Sequence, residues 1–266
     1  MKYQLGCIGS GNMGSAIIKG AVASGVIARE DIWLYDVNQT AAEALSEQCG
    51  GVHVCASPEE LAQRCNLLVL AVKPNVAKVA LAAVPLDNHA VLSIVAGLDY
   101  ERLAAYTSHG RSVRLLRVMP NTPLLVGQGA VALAMPSTFT EEELNFAEAL
   151  FAQLGLVERV NEGLMSAVTG VSGSGPAYVY MFIEAMADAG VKHGLPRAMA
   201  VELAAQTVLG SAKMVLETKR HPGALKDDVC SPGGTTIAAV AALEEQGLRN
   251  AIIKAVDACV EKTNQL

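Results

Sequence analysis

Gly9-Ser10-Gly11-Asn12-Met13-Gly14 is the stretch on which the fold turns, because of what stands on either side of it. Residues 4–8 before it form a short apolar, strand-like run. After it, Ala16, Ile17, Ala21 and Val22 recur at helical spacing. The pattern is therefore G-x-G-x-x-G between a strand and a helix. In that setting the first glycine makes the tight turn, the second lets a pyrophosphate approach the backbone, and the third lets helix and strand pack closely. Residues 32–35 then read as a second strand. It ends at Asp36, roughly 20 residues beyond the glycines, where a carboxylate can accept from the adenosine ribose hydroxyls. A turn cap is the other reading of Asp36.

Working outward, strand-like and helical segments keep alternating. Apolar strands are expected at residues 52–55, 67–71, 90–95 and 112–118, with helices between them, such as 99–107. Thr40/Glu43 and Ser57/Glu60 have capping-box spacing, the second with Pro58 at the first helical position. Continuous Val/Leu/Ile runs belong to strands buried on both faces, which predicts a parallel, doubly wound, Rossmann-type sheet. Ligands of such sheets lie at the carboxyl ends of the strands. There stand Ala71, Val72, Lys73 and Pro74, then Ala96 and Gly97, then Asn121 within residues 119–123, so these loops are expected to line the nicotinamide side. Residues 129–134 and 156–160 read as later, edge strands separated by a helix that opens on the capping box Thr140/Glu143. The dinucleotide-binding domain is accordingly set at residues 1–160.

From 161 to 266 no strand pattern is found, and helical patterns are broken at Gly190, His193-Gly194, His221-Pro222-Gly223 and Gly247. This second domain is expected to be all-α. In the helix beginning at Pro196, Val201, Ala205, Val208, Ala212 and Val215 define one packed face, while Leu203 and Leu209 put apolar surface elsewhere. The last helix does the same with Leu248, Ile252, Ala255 and Cys259 beside Ile253, Val256 and Val260. About a hundred residues cannot bury helices apolar nearly all round, so a partner subunit is expected to cover them. Near the end, residues 227–237 place Pro232, Gly233, Gly234, Thr235 and Thr236 before a helical run at 237–243. Unpaired N–H groups at such a helix start suit a carboxylate or phosphate. A plain turn with a threonine cap reads equally well from these residues alone.

Composition sets outer limits. The chain has 266 residues, 52% of them apolar but only 4% aromatic, so its core must be close-packed Ala, Val, Leu and Ile. Its unbroken apolar runs, such as residues 67–72, are far short of the ~20 residues a bilayer demands. No membrane span or signal peptide is expected, and the protein is expected in the cytoplasm. A net charge of −6 gives no basic footprint for nucleic acid, so the partner is a small molecule. The six cysteines (Cys7, Cys49, Cys55, Cys65, Cys230 and Cys259) form no C-x-x-C pair, the five histidines form no H-x-x-x-H, and no metal is expected. A hydrolase nucleophile elbow fails, because neither Ser172 nor Ser174 is the centre of G-x-S-x-G.

Three stretches together resemble pyrroline-5-carboxylate reductase: Val171-Ser172-Gly173-Ser174-Gly175-Pro176-Ala177-Tyr178, Leu225-Lys226-Asp227, and Ser231-Pro232-Gly233-Gly234-Thr235-Thr236-Ile237. The likeness runs from the first glycine motif through Ala71-Val72-Lys73-Pro74 to the last helices. It implies reduction of the cyclic imine 1-pyrroline-5-carboxylate to L-proline with NADH or NADPH, the last step of proline synthesis. It also implies a helical C-terminal dimerisation domain, often assembled into decamers. By the same resemblance, Ser231, Gly233, Gly234 and Thr235 hold the substrate carboxylate through backbone N–H groups, Thr236 meets the ring nitrogen, and Glu162 also lines the site. Asp228 stands where the family varies, commonly with an uncharged residue. Related two-domain dehydrogenases of hydroxy acids place a lysine in the glycine-rich interdomain helix, whereas residues 170–181 here contain none. An imine can arrive already protonated and needs no such acid, which favours C=N over C=O. Asp36 should repel a 2′-phosphate, and no Arg or Lys occurs from 37 to 63 to neutralise one, so the cofactor leans towards NADH. A non-catalytic dinucleotide sensor is the rival reading, and it would not need a second anion site.

Overall fold

The structure, a computed structural model, describes residues 3–110 and 112–265. Its chain forms two compact units, one running to Gly173 and resumed from Val260, the other spanning Ser174–Cys259. The domain limit expected at 160/161 thus falls inside the first unit, because residues 161–173 pack there. Near the other end of the chain, Ser166 Oγ donates to Asn264 Oδ1 at 2.6 Å.

The first unit is an eight-stranded sheet: β1 (Leu5–Ile8), β2 (Ile32–Tyr35), β3 (His53–Val54), β4 (Leu67–Leu70), β5 (Ala90–Ser93), β6 (Arg114–Met119), β7 (Gly129–Met135) and β8 (Gly155–Asn161), in the order β3-β2-β1-β4-β5-β6-β7-β8. The order reverses between β1 and β4, the crevice where a doubly wound sheet takes its ligand. Strands β1 to β6 pair in parallel, but β7 runs antiparallel to β6 and carries β8 parallel to itself. The parallel, doubly wound sheet expected from the sequence thus holds from β1 to β6, and the antiparallel turn of β7 lies beyond it. The reading of residues 129–134 as an edge needs correction, since β7 lies between β6 and β8. An apolar run reports burial on both faces and carries no information on strand direction.

Successive residues of β4 serve opposite faces. Leu67 and Val69 join Ile17, Ile18 and Phe151 on one side, while Leu68 and Leu70 join Leu61, Leu81 and Leu103 on the other. All four strand residues are fully buried, each contributing ~1.5–3 kcal/mol over an exposed position. Helices α1 (Asn12–Ser24), α2 (Gln39–Gln48), α3 (Pro58–Arg64), α4 (Pro74–Ala82), α5 (Tyr100–Tyr106) and α6 (Glu141–Ala152) cover the faces. Their starts are set locally. Thr140 and Glu143 form the full reciprocal capping box of α6. Ser57 caps α3 as expected, but Glu60 returns to the Ala56 N–H rather than to Ser57. At α2 the expected Thr40/Glu43 box is absent, because Asn38 takes the cap and the helix starts one residue before Thr40.

The Ser174–Cys259 unit is helical: α8 (Gly175–Lys192), α9 (Arg197–Thr218), α10 (Pro222–Val229), α11 (Thr235–Glu245) and α12 (Leu248–Thr263), the last crossing back at Val260; the short α7 (Met165–Val168) precedes them in the first unit. No strand occurs beyond Asn161 among the described residues. Gly190 does not break a helix, as the sequence suggested. It lies within α8, where a Cβ would sit 3.2 Å from Ala200 Cβ, so its bareness lets α9 approach. The two helices meet through Ala187, Ala200 and Ala204. The face expected to pack, Val201 to Val215, is only partly covered, and Leu203, Leu209, Met214 and Leu216 stand exposed. Helix α9 is also long and apolar enough, by length and composition, to cross a bilayer, against the expectation of no such segment. It nevertheless carries Glu202, Lys213 and Glu217, the last two ion-paired at 3.4 Å.

Candidate active site

At the end of β1 the chain turns at Gly9, with φ +105°, where a Cβ would stand 2.5 Å from the carbonyl oxygen of Ala71. A Cβ on Gly14 would come within 2.2 Å of the Gly9 carbonyl oxygen, so helix α1 can lie against the end of β1 only because residue 14 is glycine. Gly11 is the N-cap of α1, makes no side-chain cap, and has open space where a Cβ would project. The first-turn N–H groups of α1 are thus uncapped and approachable, with the positive end of the helix dipole behind them. Ser10 Oγ is buried without a partner. An open cradle, free N–H donors and an orphaned hydroxyl together fit a dinucleotide pyrophosphate.

Asp36 has two tasks already. Its Oδ2 accepts from the Ser10 N–H at 2.6 Å and its Oδ1 from the Asn38 N–H at 2.8 Å. The turn-cap reading is thus met by these two bonds, and acceptor capacity remains for a ribose, since a carboxylate offers about four acceptor sites. Beside it opens an apolar cleft of about 310 Å³, lined by Gly9, Tyr35, Asp36, Val37, Pro58 and Val72. Mostly apolar walls with one carboxylate among them suit an adenosine.

Ala71 and Val72 follow β4, half-buried, and Lys73 is the exposed N-cap of α4 with Pro74 behind it. Ala96 and Gly97 (φ +72°) lie in the loop between β5 and α5. Asn121 differs from these, for its side-chain amide is committed internally, Nδ2 donating to Ser172 O at 3.0 Å and Oδ1 accepting from Ala130 N at 2.8 Å. Asn12 and Met13 occupy the first turn of α1. Glu162, at the exit of β8, has its Oε1 held by Arg117 Nη1 at 2.7 Å and by the Tyr100 N–H at 3.2 Å, while its Oε2 is buried without a partner. Arg117 was missed from the sequence. Its signal was a charged residue inside the apolar strand run Leu115, Leu116, Val118, a position that needs a buried partner.

In the helical unit, Ser231 to Gly234 make the turn that precedes α11. Pro232 stands second, Gly233 third with φ +69°, and Gly234 N–H donates to Ser231 O at 3.0 Å, the signs of a type II turn. Gly234 is then the N-cap of α11, with no side-chain cap bond, and a Cβ there would meet Ser231 Oγ at 2.3 Å. The capping reading of the threonines is therefore corrected, since Thr235 and Thr236 are the first two helical residues and their N–H groups have no helical acceptor. Just upstream, Asp228 is turned to Arg220 at 2.6 Å, and that hydrogen bond holds its carboxyl below the usual range. Burial pushes the thiols of Cys7 and Cys55 up to about 12 and about 11, which leaves them inert hydrophobes. Cys230 is a partly exposed free thiol.

Across its full length the chain is 45% identical to a pyrroline-5-carboxylate reductase of Escherichia coli, covering 99% of that protein. The chain belongs to the pyrroline-5-carboxylate reductase family. Its similarity to the reductase of Pisum sativum is 42% over 99% of this chain and 96% of the other. The family profile described as pyrroline-5-carboxylate reductase dimerisation matches residues 162–266, and one described as NADP oxidoreductase, coenzyme F420-dependent, matches residues 4–97. Among solved structures, the Plasmodium falciparum pyrroline carboxylate reductase with NADP bound aligns at TM-score 0.86 and 34% identity over 99% of this chain and 98% of that one. The Coxiella burnetii pyrroline-5-carboxylate reductase aligns at TM-score 0.88 and 32% identity, over 100% and 98%. A reductive aminase of Aspergillus terreus, at 20% identity and TM-score 0.57, shares the fold.

Proposed function

We infer that the chain reduces 1-pyrroline-5-carboxylate to L-proline by hydride transfer from NAD(P)H, the last step of proline biosynthesis. The observation that carries the reading is the uncapped start of α11, preceded by a Pro-Gly turn that leaves a ring of N–H donors for a carboxylate. The cofactor supplies a hydride. The protein supplies three things: the α1 cradle with Ser10 and Asp36 for the adenosine and pyrophosphate, the 231–236 turn for the substrate carboxylate, and the Thr236 hydroxyl for the ring nitrogen. When the imine carbon takes the hydride, the C=N π pair passes to a nitrogen that already bears its proton, and a secondary amine results. No protein acid has to deliver that proton, in keeping with the absence of lysine from residues 170–181. Steady-state oxidation of NADH or NADPH on adding pyrroline-5-carboxylate is the test. Silence in that assay, with dinucleotide still bound, would leave a sensor as the better reading, and equal turnover of a keto acid would remove the preference for C=N.

For the cofactor, the preference is NADH. Asp36 lies at the rim of the adenosine cleft with no cation from 37 to 63 to offset it. Asp36→Ser is expected to raise the NADPH:NADH ratio of kcat/KM roughly tenfold, about 1.4 kcal/mol. Absolute binding of both should weaken, since Ser10 N–H loses its acceptor. An unchanged ratio would place Asp36 away from the ribose.

The assembly is a cytoplasmic homodimer through the C-terminal helices, extending to a decamer. Its support is the exposed apolar surface of α8 and α9, including Tyr180, Met181, Leu209 and Leu216. Leu209 and Leu216 lie seven apart on one face of α9. In sedimentation the protein is expected to run as a dimer or larger at micromolar concentration, and Leu209→Glu/Leu216→Glu as a monomer. A folded, active wild-type monomer would end this reading.

A further inference from the structure

Glu162 has one carboxylate oxygen committed to two donors of the fold and the other sealed from solvent. Oε1 accepts from Arg117 Nη1 and from the Tyr100 N–H. Oε2 is sealed from solvent with no donor near it. Removing one member of such a pair strands the charge of the other, so Arg117 and Glu162 hold each other in place.

What Glu162 holds can be read from its partners. Tyr100 is the first residue of α5, and its N–H marks the point where the loop from β5 joins that helix. The loop, residues 94–99, is anchored by the buried side chains of Val95 and Leu98, by Ile94 N–H on Leu70 O, Val95 N–H on Ser93 Oγ and Leu98 N–H on Val95 O, while between them Ala96 is exposed and Gly97, at φ +72°, carries no side chain. Arg117 is buried in β6, beside β5, with Ser93 as its partner in register. The chain of contacts is therefore rigid strand, Arg117, Glu162, Tyr100 N–H, loop. On the far side of the β1/β4 reversal from Asp36, that loop belongs to the nicotinamide half of the crevice.

We propose that Glu162, clamped by Arg117, is a positioning residue that fixes the Ala96–Gly97 loop against the nicotinamide half of the cofactor, and is not a ligand of the substrate. The proposal rests on the reading that Ala96 and Gly97 meet that half of the dinucleotide. A loop displaced by an ångström costs up to about a hundredfold where geometry matters. The adenosine half, held at α1 and Asp36, is independent of this clamp.

The test compares dissociation constants of NADH and ADP-ribose by calorimetry, with no substrate present. Glu162→Ala should weaken NADH about tenfold and leave ADP-ribose, which lacks only the nicotinamide, unchanged. Glu162→Gln keeps an acceptor for both donors and should bind NADH nearly as wild type. Because alanine strands the Arg117 charge, Arg117→Met/Glu162→Ala removes that charge too and should show the same selective loss. Parallel weakening of both ligands along with a lowered melting temperature would reduce the clamp to general stability and overturn the proposal. Unchanged NADH binding with a raised KM for pyrroline-5-carboxylate would make Glu162 a substrate ligand, and overturn it equally. Gly97→Val separates the layers: if it leaves NADH affinity intact, the loop does not meet the cofactor and the proposal falls at its base. If Gly97→Val weakens NADH and Glu162→Ala does not, only the clamp is wrong.

Discussion

Gly14→Ala should abolish measurable dinucleotide binding, lowering affinity at least a hundredfold, and should do so through backbone geometry alone. The added methyl would stand 2.2 Å from the Gly9 carbonyl oxygen and 3.1 Å from Ala71 Cβ. The first of these neighbours is backbone, so no rotamer change relieves the clash and α1 must lift from β1. Overpacking of that kind costs ~1–3 kcal/mol in stability. Displacing the N–H cradle takes its donors out of hydrogen-bond reach of the pyrophosphate, which accounts for the loss of binding. Gly11→Ala is the control that isolates space from strain. Its Cβ meets no protein atom within 4 Å and its φ is −72°, so the melting temperature should hold while NADH affinity still falls, because the vacated volume belongs to the ligand. Calorimetric titration with NADH and a thermal melt decide the matter. Near-wild-type affinity in a folded Gly14→Ala protein would show that the glycines serve folding only.

These glycines were readable from sequence because their constraint is local: a turn, a close approach and a helix start lie within six residues. The same holds for the Thr140/Glu143 box and for Pro232-Gly233, where residue types and backbone angles agree. What escaped the sequence depends on distant pairing. Arg117 and Glu162 are 45 positions apart, and nothing near either announces the other. The reversal of β7 is invisible for a related reason, since Val131 and Leu133 would be buried in either direction. The limit of the compact units at Gly173 was not legible, because residues 161–173 look helical, like everything after them, yet pack with the sheet, although the dimerisation profile itself begins at residue 162. Gly190 misled because a glycine in a helix reads as a break until the neighbouring Ala200 is known.

Thr236→Ala is expected to lose roughly tenfold to a hundredfold in kcat/KM with little change in fold, and the structure sharpens why. As a cap residue, Thr236 would have been worth about 1 kcal/mol of stability. The cap of α11 is Gly234, however, and Thr236 is the second helical residue, partly buried. Deleting its hydroxyl therefore removes no capping bond, and alanine is the better helix former by propensity. The melting temperature should stay within a degree or two, about the effect of a few tenths of a kcal/mol. The reaction should not be spared. In the inferred complex the N–H groups at the start of α11 fix the carboxylate and the hydroxyl fixes the ring nitrogen, so the imine carbon has two anchors. With one anchor lost the ring can turn, and the unmatched polar group costs ~1–3 kcal/mol, which is the stated range in kcat/KM. Binding of NADH alone should be unchanged, because every dinucleotide contact inferred here lies in the first unit. Thr236→Ser, which keeps the hydroxyl, should recover most of the activity. Wild-type kcat/KM in Thr236→Ala would take the ring nitrogen away from this residue, and a parallel fall in NADH affinity would move Thr236 to the cofactor instead.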